Sequence, residues 1–236
     1  MRRFWLGYGV LIAVGVVFLA TSVASLAREA DDKAEPPSVE EVDPSAWNPV
    51  VRLSLGCTGF YIGEGIFLSA GHCMGKGTSW TIDTDNVNGG KKTIRVDTMI
   101  YSAPGDWNGQ DTAIIYVDPI VTKDLRPLDL DCSGDLHPIG TEIATEGFPE
   151  EYGRNYVVGF ISAKPSPWVP GKGGWYKDVY RAQLPVSYGN SGGPILDRSS
   201  GKVIGIHVGA EPNNRGLAAF QPIDFACRVM GINQEN

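Results

Sequence analysis

The sequence predicts an all-β chain, and two observations carry that expectation. Its 236 residues include 30 glycines and 16 prolines, while amphipathic helical patterns are scarce. From residue 50 onward, apolar runs of strand length alternate with turn residues. The length suits one large domain or a pair of barrels.

The elements follow in order. Residues 51–55 alternate, and 59–63 with 65–69 read as a hairpin about Gly63-Glu64. Strands over 79–83, 93–101 and 112–117 complete a first half, about 47–118. Residues 119–135 read as a crossing segment. The second half, about 136–224, takes strands at 142–147, 156–163, 178–183, 193–197, 202–208 and 218–222. Residues 164–177, with three prolines and three glycines, read as a long loop, and 225–232 as a short terminal helix.

The N-terminus is of another kind. Met1-Arg2-Arg3 is basic, and residues 4–27 carry no charge. Residues 1–27 are expected to be a signal peptide or a membrane anchor held through residues 4–24. Ser22-Val23-Ala24 and Ser25-Leu26-Ala27 both offer the small residues of a cleavage site. Either outcome puts the rest outside the cytoplasm, because the positive end stays inside. Residues 28–45 hold seven carboxylates against Arg28 and Lys33, a net −5, with three prolines. Such a stretch cannot bury a core, so 28–46 is expected to be an acidic tether or propeptide. The domain is expected over 47–236. Formal net charge is −7 and no Lys/Arg-rich run appears, which argues against nucleic acid as a partner.

Gly189-Asn190-Ser191-Gly192-Gly193-Pro194 is the stretch that suggests chemistry. A serine hydroxyl attacks only when a base takes its proton and donors hold the resulting oxyanion. The N–H groups of Gly189 and Ser191 suit the second task. The base and its carboxylate stand upstream, in Ser69-Ala70-Gly71-His72-Cys73 and Gln110-Asp111-Thr112-Ala113-Ile114-Ile115. Asp97 and Asp106 are nearby rivals, but only Asp111 directly precedes a strand-like run. The serine pattern also satisfies a nucleophile elbow, which needs an acid and then a histidine after the serine. The only later histidine, His207, lies just 16 positions on, which leaves little room.

The order His, Asp, Ser and all three motifs resemble the chymotrypsin-like serine proteases, over roughly residues 50–230. That resemblance implies two six-stranded antiparallel β-barrels of the chymotrypsin type with a short C-terminal helix. It implies an exported serine endopeptidase working through a His72–Asp111–Ser191 triad and an acyl-enzyme on protein or peptide substrates. No cofactor or metal is expected, there is no C-x-x-C, and a monomer is expected. A binding module on the same fold is the non-enzymatic alternative, though such relatives usually lose a triad member.

The four cysteines fit an exported protein. Cys57 and Cys73 flank the hairpin that delivers His72 and match the family's histidine-loop disulfide. Cys132 and Cys227 match a bridge of the trypsin branch. His207 lies on an apolar strand that would line the S1 pocket. Its Val203-Ile204-Gly205-Ile206-His207 context resembles bacterial glutamyl endopeptidases and the picornavirus chymotrypsin-like cysteine proteases. Those groups prefer Glu and Gln at P1, which implies a P1 Glu or Gln preference here; a different small or apolar P1 is the alternative. An ordinary histidine would make the Glu-over-Gln preference fall between pH about 5.5 and 8. Val186 stands where those families carry a threonine or serine that helps bind P1, and Ser187 is a substitute. Asn190 stands where trypsin-like zymogens carry an aspartate, and its motif is similar to HtrA-type proteases. His137 reads as a turn residue.

Overall fold

The computed structural model describes residues 48–232 except 55, 76–79, 86–89, 104–108, 150–152, 170–175 and 212–213. These lie in one compact unit, Asp43–Asn236. The leader and tether expectations, residues 1–46, fall outside the described residues. Among the described residues, no helix is long and apolar enough to cross a membrane.

The first half is one antiparallel sheet of seven strands. These are β1 (Val50–Leu53), β2 (Cys57–Gly63), β3 (Ile66–Ser69), β4 (Thr81–Asp85), β5 (Lys91–Arg95), β6 (Thr98–Ser102) and β7 (Thr112–Tyr116). Their order is β5-β4-β1-β2-β3-β7-β6, a half-barrel open between its edge strands. The expected strand over 93–101 is two strands. The chain leaves β5 at Val96, whose N–H bonds the Trp80 carbonyl; Asp97 N–H then bonds the Tyr116 carbonyl of β7, and the chain enters β6 at the other edge. One segment thus serves both edges of the sheet, which makes the count seven.

The second half closes completely. β8 (Glu142–Gly147), β9 (Asn155–Trp168), β10 (Tyr176–Gln183), β11 (Pro194–Asp197), β12 (Val203–Glu211) and β13 (Asn214–Pro222) form a barrel in the order β10-β13-β12-β11-β8-β9. Helix α1 (Asp224–Met230) follows, ended by Gly231 at φ 69°. The crossing segment joins the barrel through a Leu130–Val203 bridge.

The expected loop over 164–177 is corrected at both ends. β9 continues to Trp168 through Pro165 and Pro167, and β10 begins at Tyr176. β8 runs beside β9 only over Asn155–Phe160, so the outer edge of the later part of β9 carries no ladder that a missing proline N–H would break. Irregular pairing with β10 between Tyr176 and Ala182 absorbs the rest.

Two apolar clusters hold the molecule. Ile143, Ile161, Tyr180, Leu184, Ile204 and Phe220 fill the barrel. The other cluster runs from Leu53, Phe60, Leu68 and Ile114 of the sheet to Val203, Ile206 and Val208 on the barrel wall. β12 is therefore buried on both faces from Val203 to Val208, which is why it reads as a continuous apolar run.

Candidate active site

His72 sits on a 3-10 turn, Gly71–Cys73, directly after β3. A Cβ on Gly71 would strike the Ser102 carbonyl and stand 3.2 Å from Asp111 Oδ1. Glycine is what lets this turn press against β6 and the segment before β7. Asp111 precedes β7 and is fully buried. Its Oδ1 accepts the His72 backbone N–H at 2.7 Å, and its Oδ2 faces His72 Nδ1 at 2.6 Å. A buried carboxylate so placed favours a proton on Nδ1 and turns Nε2 outward. The His72 side chain is 33% exposed accordingly. Asp97 is exposed on the sheet edge, and Asp106 lies outside the described residues.

Ser191 lies on the turn between β10 and β11. Its carbonyl accepts the Thr58 N–H at 2.8 Å. Gly192 has φ 85°, and a Cβ there would collide with Ser69 Oγ and Thr58 O and stand 2.9 Å from Ala70 N. The serine turn is therefore seated on the end of β3, three residues before His72. Thr58 Oγ1 donates to the Gly189 carbonyl at 2.7 Å and accepts the Phe148 N–H at 3.0 Å. Among the described residues, the Gly189 and Ser191 N–H groups have no hydrogen-bond partner, which suits donors to an oxyanion. Asn190 is fully buried, and its Nδ2 donates to Asn155 Oδ1 at 3.4 Å.

Two disulfides close loops on either side. Cys57 is bonded to Cys73, next to His72, with Cα atoms 6.1 Å apart. Cys132 is bonded to Cys227 of α1 across 95 positions. Cys57, His72 and Cys73 lie close together, but both sulfurs are spent in the bridge, and a lone imidazole is no metal site.

His207 is paired with Phe220 on β13. Its peptide is tied at both ends to the serine turn: His207 O accepts the Gly192 N–H at 2.7 Å, and its N–H donates to Gly193 O at 2.9 Å. The residue is 2% exposed, and neither ring nitrogen has a hydrogen-bond partner among the described residues. Burial pushes its pKa down to about 4; the Asn190 backbone opposes the shift, His72 adds to it, and the Gly209 backbone opposes it. The expectation of a charge change between pH 5.5 and 8 is therefore corrected, because the buried ring is neutral across that range.

Val186 is 3% exposed and packs with the barrel core. Ser187 is half-buried, with Oγ 3.4 Å from the Tyr188 carbonyl. His137 donates its N–H to Tyr180 Oη at 3.0 Å, away from the triad. Three residues beside the site had no signal in sequence: Thr58, Gln221 and Tyr176. Gln221 is a buried carboxamide that accepts the Asp111 N–H at 2.6 Å, and the Tyr176 hydroxyl faces the Asp111 carboxylate. Burial first, then the Asp111 charge and hydrogen bond, hold that phenol well above its ordinary pKa, so it stays a donor.

The model of the trypsin-like peptidase domain matches residues 57–206, more than half of the chain. The chain belongs to that family. This trypsin-like chain is a serine endopeptidase, and its structural neighbours agree in fold. The Rv3671c protease from M. tuberculosis in its active form is similar at TM-score 0.61 and 20% identity, over 82% of this chain and 83% of that one. The MamO protease domain from Magnetospirillum magneticum is similar at TM-score 0.62 and 16% identity, over 80% and 97%. The HtrA-type protease AlgW with a decapeptide is similar at TM-score 0.59 and 22% identity, over 74% of this chain but only 50% of that one. Among the curated proteins none matches this chain in sequence.

Proposed function

We propose that Ser191, His72 and Asp111 are the catalytic triad of an exported endopeptidase with a P1 Gln or Glu preference. The observation that carries the triad is Asp111, buried with one oxygen on the His72 N–H and the other on Nδ1. His72 Nε2 takes the Ser191 proton as Oγ attacks the scissile carbonyl. The Gly189 and Ser191 N–H groups receive the oxyanion, and the imidazolium then protonates the leaving amine. Water repeats the sequence on the acyl-enzyme and releases the acid. Peptide as substrate accords with the decapeptide on the HtrA-type neighbour. Two disulfides support a place outside the cytoplasm.

His207 supports the P1 reading. Two buried, unpartnered ring nitrogens beside the serine turn are costly unless a ligand completes them. A neutral ring offers one N–H, which a carboxamide oxygen or a carboxylate accepts. The test is a P1 substrate panel on the parent, Ser191→Ala and His207→Ala. Ser191→Ala should abolish cleavage while the fold persists. His207→Ala should lose roughly 30- to 1000-fold in kcat/KM for P1 Gln and Glu. It should still react with a fluorophosphonate near the parent rate. Turnover by Ser191→Ala sinks the triad; an unchanged P1 profile in His207→Ala sinks the specificity.

A further inference from the structure

Asp111 is delivered by a three-residue segment, Gly109–Gln110–Asp111, whose hold on the molecule is unusual. Gln221 of β13 is 1% exposed and spends its whole carboxamide there. Its Oε1 accepts the Asp111 N–H at 2.6 Å. Its Nε2 donates to the Gly109 carbonyl at 3.0 Å and approaches the Lys177 carbonyl at 3.4 Å. The Lys177 N–H meets the same Gly109 carbonyl at 2.9 Å. One side chain of the barrel thus grips both ends of a segment that belongs to the sheet. The carboxylate beyond it is left with His72 and the Tyr176 hydroxyl as neighbours.

We infer that Gln221 is a positioning residue for the reaction: it fixes the Asp111 backbone so that the carboxylate meets His72 in the productive geometry. The inference rests on the reading of Asp111 as the triad carboxylate. A carboxamide is the side chain that fits. It supplies an acceptor for one peptide and donors for another, at a spacing no hydroxyl can span. It is also uncharged, so it adds no repulsion to the buried carboxylate beside it. Without it, the buried Asp111 N–H loses its partner, the Gly109 carbonyl keeps only the Lys177 N–H, and the segment relaxes. Catalysis is sensitive to that scale of movement: a misplacement of about 1 Å can cost about 100-fold.

The experiment compares parent, Gln221→Met, Asp111→Asn and the double variant as full chains. Unfolding midpoints fix the folded fraction, and kcat and KM are measured per folded molecule on one peptide. Gln221→Met keeps length and bulk and removes every hydrogen bond. It should lose ten- to 100-fold in kcat with KM within about twofold. In the Asp111→Asn background the same change should cost less than about threefold, because it acts through Asp111. A kcat within twofold of the parent, with only the midpoint lowered, overturns the inference. So does a full multiplicative loss on top of Asp111→Asn. If Gln221→Met does not fold, Gln221→Asn takes its place: it keeps the groups but is too short to span both peptides, and a parent-like kcat there overturns the inference equally. A parent-like kcat in Asp111→Asn is a separate result, and it removes the triad reading instead.

Discussion

The buried imidazole of His207 sets a pH dependence of stability that can be read out without any catalysis. In the unfolded chain its pKa is ordinary, about 6.5; in the fold it is pushed down to about 4, burial being the main cause. The folded pKa is the depressed one, so the unfolded state takes up the proton first. The contribution to stability is whole above pH about 6.5 and is lost as pH falls toward about 4. From pH 7.5 to 4.5 the loss is about 2.5 kcal/mol at one proton and 1.36 kcal/mol per unit. The perturbation is His207→Leu, which fills the space and has nothing to protonate. Urea unfolding of Ser191→Ala and of the double variant at both pH values gives the double difference. The carboxylates titrate alike in both chains and cancel. His207→Leu should be at least as stable as its parent at pH 7.5, since the ring nitrogens it removes have no partners among the described residues. At pH 4.5 it should be ahead by a further 2 to 3 kcal/mol or so. Parallel pH profiles, with a double difference under about 0.5 kcal/mol, would show that the ring is not buried as described.

Three further outcomes follow from packing and charge. Gly192→Ala places a Cβ in a left-handed residue against Thr58 O and Ser69 Oγ, and should cost about 2 to 5 kcal/mol and nearly all fluorophosphonate labelling. Paired serine substitution of Cys132 and Cys227 opens a loop of 95 positions and should lower stability by up to about 4 to 5 kcal/mol by chemical unfolding. Fragments starting at residues 42 to 47 should be similarly active, because buried Asn190 is neutral and bonds Asn155, offering no carboxylate to a freed N-terminus; activity at a single start residue would contradict this.

Much of this site is legible in the sequence because its parts are local. A histidine turn, an aspartate before a strand and a serine between glycines each have a short signature, and the same four cysteines pair in the structure as the resemblance implies. What the sequence hides depends on neighbours. Prolines at 165 and 167 look like strand breakers until one knows that β8 has already ended beside them. Val96-Asp97 looks like mid-strand until the chain is seen to pass from one sheet edge to the other. The charge state of His207 is not legible, because a lone histidine in a sequence says nothing of its depth. Gln221 and Thr58 are hidden for a related reason: each acts through bonds to segments between about 90 and 130 positions away.

Thr58 has a consequence for the life of the chain before it is an enzyme. It stands in the sheet, yet its N–H holds the Ser191 carbonyl, its hydroxyl holds Gly189 and Phe148 of the later half, and its carbonyl takes the Ser69 hydroxyl at 2.7 Å. A chain whose two halves have not met lacks these bonds, since Thr58 belongs to the sheet and Phe148, Gly189 and Ser191 to the later half. The serine turn, proposed to hold the oxyanion donors, therefore takes its shape only with those long-range contacts. A protease emerging among unfolded copies of itself is surrounded by ideal prey. On the proposed triad, competence to cut requires those contacts, so a molecule that is still unfolded is also harmless.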